Sequence, residues 1–144
     1  MRARNMPLRV TAGGFLLLSG LSKRAVSDEE AAHLHTLTVG AFPQLAPLEA
    51  ESLVDVLARG EIALGCALLM PLVPSKILGV GLVGFAAGLL RVYWTAPGLR
   101  QPGQLRPTDQ GASLAKDTWL AASTGAALLL DRPRPRRPHN PSSA

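Results

Sequence analysis

Apolar residues are concentrated in four blocks along the chain, and each block is long enough to form a helix. The apolar positions run around the whole helix instead of forming one stripe, whereas each helix of a small soluble bundle needs a polar face. This pattern favours a lipid environment. The four blocks run from Leu8 to Leu21, from Ile62 to Val73, from Ile77 to about Trp94 and from Leu114 to Leu130.

Charged residues interrupt these blocks. The stretches without charge span about 12–14 residues, whereas a transmembrane helix needs about 20. Each block reaches about 17–22 residues when one or two charges are admitted near its ends, where Arg and Lys extend their charged groups to the membrane surface. Tyr93, Trp94 and Trp119 lie near block ends, where interfacial aromatic residues are expected. We therefore predict four transmembrane helices.

The loop between the first two blocks is long and is predicted to contain a helix of its own. Ser27 followed by Glu30 forms a capping-box pattern at its start, and Pro43 and Pro47 interrupt the chain after it. The link between the second and third blocks is short, which predicts antiparallel neighbours. The predicted fold is all-α, a four-transmembrane-helix bundle with a short extramembrane helix in the first loop.

The end of the chain differs in composition from the rest. After Asp131 the sequence reads RPRPRRPHNPSSA, which cannot bury a core and favours extended polyproline-type backbone. Residues 1–131 are predicted to form one membrane domain, and residues 132–144 a disordered Arg/Pro-rich tail. A signal peptide is an alternative interpretation of the first block, although Lys23 and Arg24 directly after it are unusual beside a cleavage site.

Charge is scarce and collects at the two ends of the chain. Charged residues make up 17% of the sequence, hydrophobic residues 47%, and the net charge is +5; soluble domains carry about 25% charged residues. Basic ends beside apolar blocks fit the cytoplasmic side of a membrane better than a nucleic-acid surface. We predict a multi-pass cell-membrane protein with both termini cytoplasmic and no nucleic-acid partner, although the basic residues divide eight to seven between the two sides.

Five charged residues inside or beside the blocks form a candidate polar cluster. A charge within a membrane is costly, so it usually pairs or lines a polar cavity. Glu61 is expected on the same outer side as Lys116 and Arg91 and can pair with either, whereas Arg9 lies near the opposite end. Interfacial charges without chemistry are the alternative interpretation. The five residues are Arg9, Glu61, Arg91, Lys116 and Asp117.

Two glycines of the third block are spaced four positions apart. Gly84 and Gly88 form a GxxxG pattern, which predicts close helix packing inside the bundle or, in a second interpretation, a face that pairs two copies of the chain.

Cys66 is the single cysteine, which excludes an intramolecular disulfide and a Cys-x-x-Cys redox motif. His33 and His35 diverge on a helix, so no metal site is predicted.

Three segments resemble the DoxX-like membrane proteins. The second block, read as Gly60-Glu61-Ile62-Ala63-Leu64-Gly65, is similar to that family's second helix, and RPTDQG followed by LAKDTWL is similar to actinobacterial members. The resemblance covers roughly residues 4–131. It implies four short helices with a long first loop. The first block resembles the family's opening helix through the pattern Arg9-x4-Gly14-Phe15-Leu16-x2-Ser19-Gly20-x2-Lys23.

For function, the resemblance implies a subunit of a quinone-linked sulfur oxidoreductase or an association with redox partners. The sequence shows no cofactor ligands, so we predict a chain that is not an enzyme on its own. The predicted role is a non-catalytic subunit or scaffold of a membrane assembly of the redox kind. Its predicted partners are the lipid bilayer, other proteins of that assembly and further copies of the chain. The alternative is a bundle that binds or transports a quinone or another small molecule near Glu61.

Overall fold

The computed structural model describes residues 5–101, 103–104 and 106–131, apart from the side chain of Gln110. This part of the chain is all-α, which confirms the predicted fold class. It contains the 3-10 turn Pro43–Leu45, and the described residues form no strand beyond an isolated bridge between Arg100 and Pro107. The predicted tail, residues 132–144, lies outside the described residues. The five helices are α1 (Met6–Lys23), α2 (Asp28–Ala41), α3 (Ala50–Leu69), α4 (Ser75–Thr95) and α5 (Asp109–Leu130).

Local sequence signals explain where the helices begin. The Ser27 side chain accepts a hydrogen bond from the Glu30 backbone N–H at 3.3 Å, as predicted, and starts the first-loop helix α2. Thr108 caps α5 in the same way, accepting from the Gly111 N–H at 3.1 Å. Pro7 occupies the first turn of α1, where its missing N–H costs no helical hydrogen bond.

The four long helices associate as two antiparallel pairs, α1 with α3 and α4 with α5. At Gly13 and Gly65 the backbones of α1 and α3 touch directly, because a Cβ added to either glycine would lie 2.9–3.0 Å from the other's carbonyl oxygen. Gly79 and Gly125 provide the equivalent contact between α4 and α5. Small residues permit this close approach of helix backbones.

A shared core joins the two pairs. All four long helices contribute buried apolar side chains to it, among them Leu16, Leu68, Leu82 and Leu128. The Asn5 amide donates to the Asp131 carboxylate at 2.6 Å, which brings the start of α1 beside the end of α5. The four long helices therefore alternate in direction. The N-terminus of α1 lies at the same end of the bundle as the C-terminus of α5.

A second, smaller core lies at the opposite end of the bundle. It joins the end of α2, the end of α4, the loop after α4 and the first turns of α5. Val92 and Tyr93 of α4 pack there against Ala41, Leu99 and, on α5, Leu114. This core holds α2 against the bundle and makes the long first loop an ordered part of the fold.

The packing role predicted for Gly84 and Gly88 inside the bundle is wrong. A Cβ at either position would meet nothing within 4 Å, because both glycines face away from α5 and the other described helices. The glycines at tight contacts between helices include Gly13, Gly65, Gly79 and Gly125. The GxxxG pattern alone does not show which face of α4 packs against α5.

Only one described helix, α4 (Ser75–Thr95), is both long enough and apolar enough to cross a membrane by itself. The charges of Arg9, Glu61 and Lys116 lower the mean hydropathy of the helices that carry them. Length and composition of the described helices thus support one span and do not support the predicted multi-pass arrangement.

A pair of glycine-to-alanine changes tests the direct contact between α1 and α3. Gly65→Ala is expected to lower the free energy of unfolding by about 1–3 kcal/mol, because its Cβ would press on backbone atoms that cannot move cheaply. Gly84→Ala adds the same methyl group in open space and is expected to leave stability unchanged or raise it by up to about 1 kcal/mol. Thermal unfolding of both purified variants measures the difference, and an equal effect would contradict the described pairing.

Candidate functional site

An ion pair joins α1 to α3 inside the bundle. The Lys23 ammonium lies 2.9 Å from the Glu61 carboxylate and 2.8 Å from the Ser19 hydroxyl. Glu61 is only 4% exposed, and Lys23 is partly exposed. The side chain of a helical residue leans toward the N-terminus of its helix. Because α1 and α3 are antiparallel, Lys23 and Glu61 lean toward each other.

A third helix adds a carboxylate to this pair. Asp117 of α5 is half-buried and lies close enough for its charge to interact with those of Lys23 and Glu61. We call Lys23, Glu61 and Asp117, together with Ser19, the charged cluster. It places two carboxylates and one ammonium where three helices meet, at the end of the bundle that α2 and the loop after α4 also occupy.

Two other polar residues of α5, Thr118 and Thr124, are buried. Thr118 donates to the Leu114 carbonyl at 2.8 Å, which satisfies its hydroxyl within the helix. Thr124 is almost fully buried, and its hydroxyl has no hydrogen-bond partner among the described residues. Thr124 follows Asp117 by seven residues, which places the two on the same face of the helix.

Arg9 is buried at the other end of the bundle. It is only 1% exposed, and its guanidinium donates to four backbone carbonyls at the end of α3 and in the following turn. Carbonyls at a helix C-terminus lack helical donors and carry partial negative charge, so a cation is favourable there. The acceptors are Leu68 at 2.8 Å, Val73 at 3.1 Å, Ala67 at 3.2 Å and Met70 at 2.5 Å.

Arg91 and Lys116, the partners predicted for Glu61, do not contact it. Arg91 donates to the Ala41 carbonyl at 2.8 Å and stacks over the Phe42 ring, with its guanidinium carbon 4.8 Å from the ring centre. It therefore fastens α2 to α4. Lys116 is exposed and has no hydrogen bond or ion pair with the described residues. Among the five predicted cluster residues, Asp117 lies within electrostatic reach of Glu61 and of Lys116, whereas Arg9 and Arg91 bind backbone carbonyls elsewhere.

The sequence interpretation did not include Lys23 in the candidate cluster, although it named Lys23 as a charge after the first block and as the last residue of the DoxX-like pattern. Two features point to Lys23 once the pairing of α1 with α3 is known. Gly20 packs against Ala58, which sets the register of the two helices, and the opposed lean of the side chains carries Lys23 to Glu61. Neither feature can be recognised from apolar periodicity.

The chemistry available to the charged cluster is that of hydrogen bonding and proton exchange. Its carboxylates accept hydrogen bonds and its ammonium donates them, so the cluster can hold a polar head group. Within residues 5–101, 103–104 and 106–131, no three His, Cys, Asp or Glu side chains converge to hold a metal ion. Comparisons with protein-family models, with curated proteins and with solved structures found no match.

A double-mutant cycle measures the strength of the Lys23–Glu61 pair. Lys23→Met leaves the Glu61 carboxylate buried without its partner and is expected to destabilise the fold by about 2–4 kcal/mol, whereas adding Glu61→Gln restores part of that loss. The coupling energy between the two changes is expected to exceed about 1 kcal/mol.

The exposed pair Arg59–Asp55 on α3 is the matched control. Its coupling energy is expected to stay below about 0.5 kcal/mol, because solvent screens both charges. Thermal unfolding of each set of variants gives the two energies. Equal coupling in the two cycles would show that Lys23 and Glu61 do not form a buried pair.

Proposed function

We propose that the chain is an integral membrane protein whose four long helices cross the bilayer as an up-down bundle. The observation that supports this proposal is the distribution of polarity. Arg9 and Glu61 are among the most buried residues, whereas Leu18 is 71% and Val80 64% exposed. A water-soluble domain buries its apolar side chains and rarely buries charge. The reverse arrangement suits lipid.

The exposed apolar side chains are distributed over all four long helices. On α1, Val10, Leu18 and Leu21 are exposed, and the middle of α4 presents Val80 and Leu90. Between Gly60 and Leu90, Lys76 is the only charged residue that is exposed. Exposed apolar residues in this number on every long helix are typical of a surface that contacts a membrane or other proteins.

The lengths of the helices match this proposal. The four long helices contain 18–22 residues, which span about 27–33 Å at 1.5 Å per residue. The hydrocarbon core of a bilayer is about 30 Å thick. Of the charges that lower the mean hydropathy of α1 and α3, Arg9 and Glu61 are buried and have partners inside the bundle. Lys23 is partly exposed near the end of α1, and Arg59 pairs with Asp55 at the surface of the first half of α3.

Within the membrane, we assign the chain the role of a non-catalytic subunit or scaffold of a redox-type assembly, related to the DoxX-like proteins. The motifs around Arg9 and Glu61 support this relation, and the long first loop matches the family pattern. The broad apolar surface offers area for partner helices. The charged cluster supports a second candidate function, the binding or transport of a quinone or another small polar-headed molecule.

Charge placed on the exposed face of α1 tests whether that face lies in lipid. Leu18→Lys is expected to impair membrane insertion by up to about 2.5–3.5 kcal/mol, the cost of a lysine at the centre of a membrane helix. Leu48→Lys, in the loop before α3, is the matched control and is expected to insert normally. Alkaline extraction of membranes from expressing cells shows how much of each variant is integrated. A wild-type protein released by alkali, or a Leu18→Lys variant retained as fully as wild type, would contradict four spans.

Gentle detergent extraction of the tagged protein distinguishes the two candidate functions. The scaffold role predicts proteins that co-purify in constant ratio and no bound quinone. The small-molecule role predicts bound quinone in the mass spectrum, reduced at least about tenfold in Glu61→Gln. Arg59→Gln, an exposed change on the same helix, serves as the control and is expected to leave both results unchanged. A protein that purifies alone and without quinone would contradict both functions.

A further inference from the structure

A shallow groove runs along one face of the first half of α5, apart from the charged cluster. Its floor is apolar, and Pro107 lies at its upper end, before the helix begins. The groove residues are spaced three or four positions apart, so they occupy one side of the helix. From the start of α5 inward they are Ala112, Ala115, Lys116, Trp119, Leu120 and Ser123.

The shape of the groove follows from the sizes of these side chains. Ala112 and Ala115 leave a depression, and Trp119, 75% exposed, stands beside it as one wall. Lys116 is the only charged side chain that lines the groove. Its neighbour Asp117 is half-buried, and its charge interacts with those of Lys23, Glu61 and Lys116. Asp109 is exposed in the first turn of α5.

The groove extends from the start of α5, where the proposed membrane ends, to about the middle of that helix. Leu114 and Ala115 pack against Val92 and Ala96 at the end of α4, so Lys116 is level with the last turns of that helix. Trp94 is also exposed near this level. Tryptophan and lysine near a helix end are typical of the boundary between head groups and acyl chains.

We propose that this groove binds one anionic phospholipid, an inference that rests on the membrane location proposed above. The phosphate lies against the Lys116 ammonium, beside Pro107 and Ala112. One acyl chain follows the apolar floor past Trp119 and Leu120 toward the middle of the bilayer. A single positive charge above an apolar channel matches a lipid with an anionic head group better than it matches a zwitterionic one, whose own ammonium would face Lys116.

Native mass spectrometry of the detergent-purified protein tests this proposal, with phosphatidylglycerol and phosphatidylcholine carrying the same acyl chains. Wild type is expected to retain one phosphatidylglycerol in preference to phosphatidylcholine. Lys116→Gln is expected to weaken phosphatidylglycerol binding about fivefold, the effect of removing one interfacial lysine. Lys76→Gln, an exposed lysine at the opposite end of the bundle, is expected to leave binding unchanged.

Four results would overturn the lipid site. Equal binding of the two lipids or equal weakening by Lys116→Gln and Lys76→Gln would show no specific charge recognition. A dimer that Trp119→Ala dissociates would show that a second copy covers the groove. Inorganic phosphate is tested at the same concentration as the two lipids. Binding of phosphate as strong as that of phosphatidylglycerol would show that the acyl chain is not recognised. The membrane location is tested separately, because release of wild type by alkaline extraction would contradict it without bearing on the lipid site.

Discussion

The direct contact of α1 with α3 at Gly13 and Gly65 sets the positions of the charges inside the bundle. Because no side chain separates the two backbones, the helices lie close enough for Arg9 to reach the carbonyls at the end of α3. The same register carries Lys23 to Glu61 toward the other end. A wider separation would leave a buried guanidinium and a buried carboxylate without partners, and each unpaired charge is strongly destabilising.

Satisfying these charges inside leaves the outside of the bundle apolar. Arg9 uses backbone carbonyls and Glu61 uses a lysine, so neither needs water. The faces of α1 and α4 that point outward are then free to carry Leu18 and Val80. In a bilayer this arrangement is favourable on both counts, since polar groups find partners within the protein and apolar side chains meet lipid. The proposed location in the membrane therefore follows from where the charges lie. By length and hydropathy alone, α4 is the only described helix that could cross a membrane.

Local sequence signals predicted the elements of the fold but not their partners. The all-α class, the Ser27 cap and the helix of the first loop are confirmed, because each depends on residues close together in the chain. Helix pairing depends instead on which faces meet, which is why Gly84 and Gly88 were placed at the wrong contact. The candidate cluster was likewise predicted only in part. Glu61 and Asp117 were recognised as unusual charges, whereas Lys23 becomes visible only through the antiparallel register of α1 and α3.

The surroundings of Cys66 test the central claim most directly. This single cysteine is exposed on α3, so a spin label attaches there without any mutation. Collision rates with oxygen, which concentrates in lipid, and with a water-soluble nickel chelate report the surroundings of the label. In reconstituted vesicles the account predicts frequent collisions with oxygen and few with nickel at Cys66, and the reverse at Leu48→Cys in a Cys66→Ser background. A label at Cys66 as accessible to nickel as the one at position 48 would contradict a bundle that turns its apolar faces to lipid.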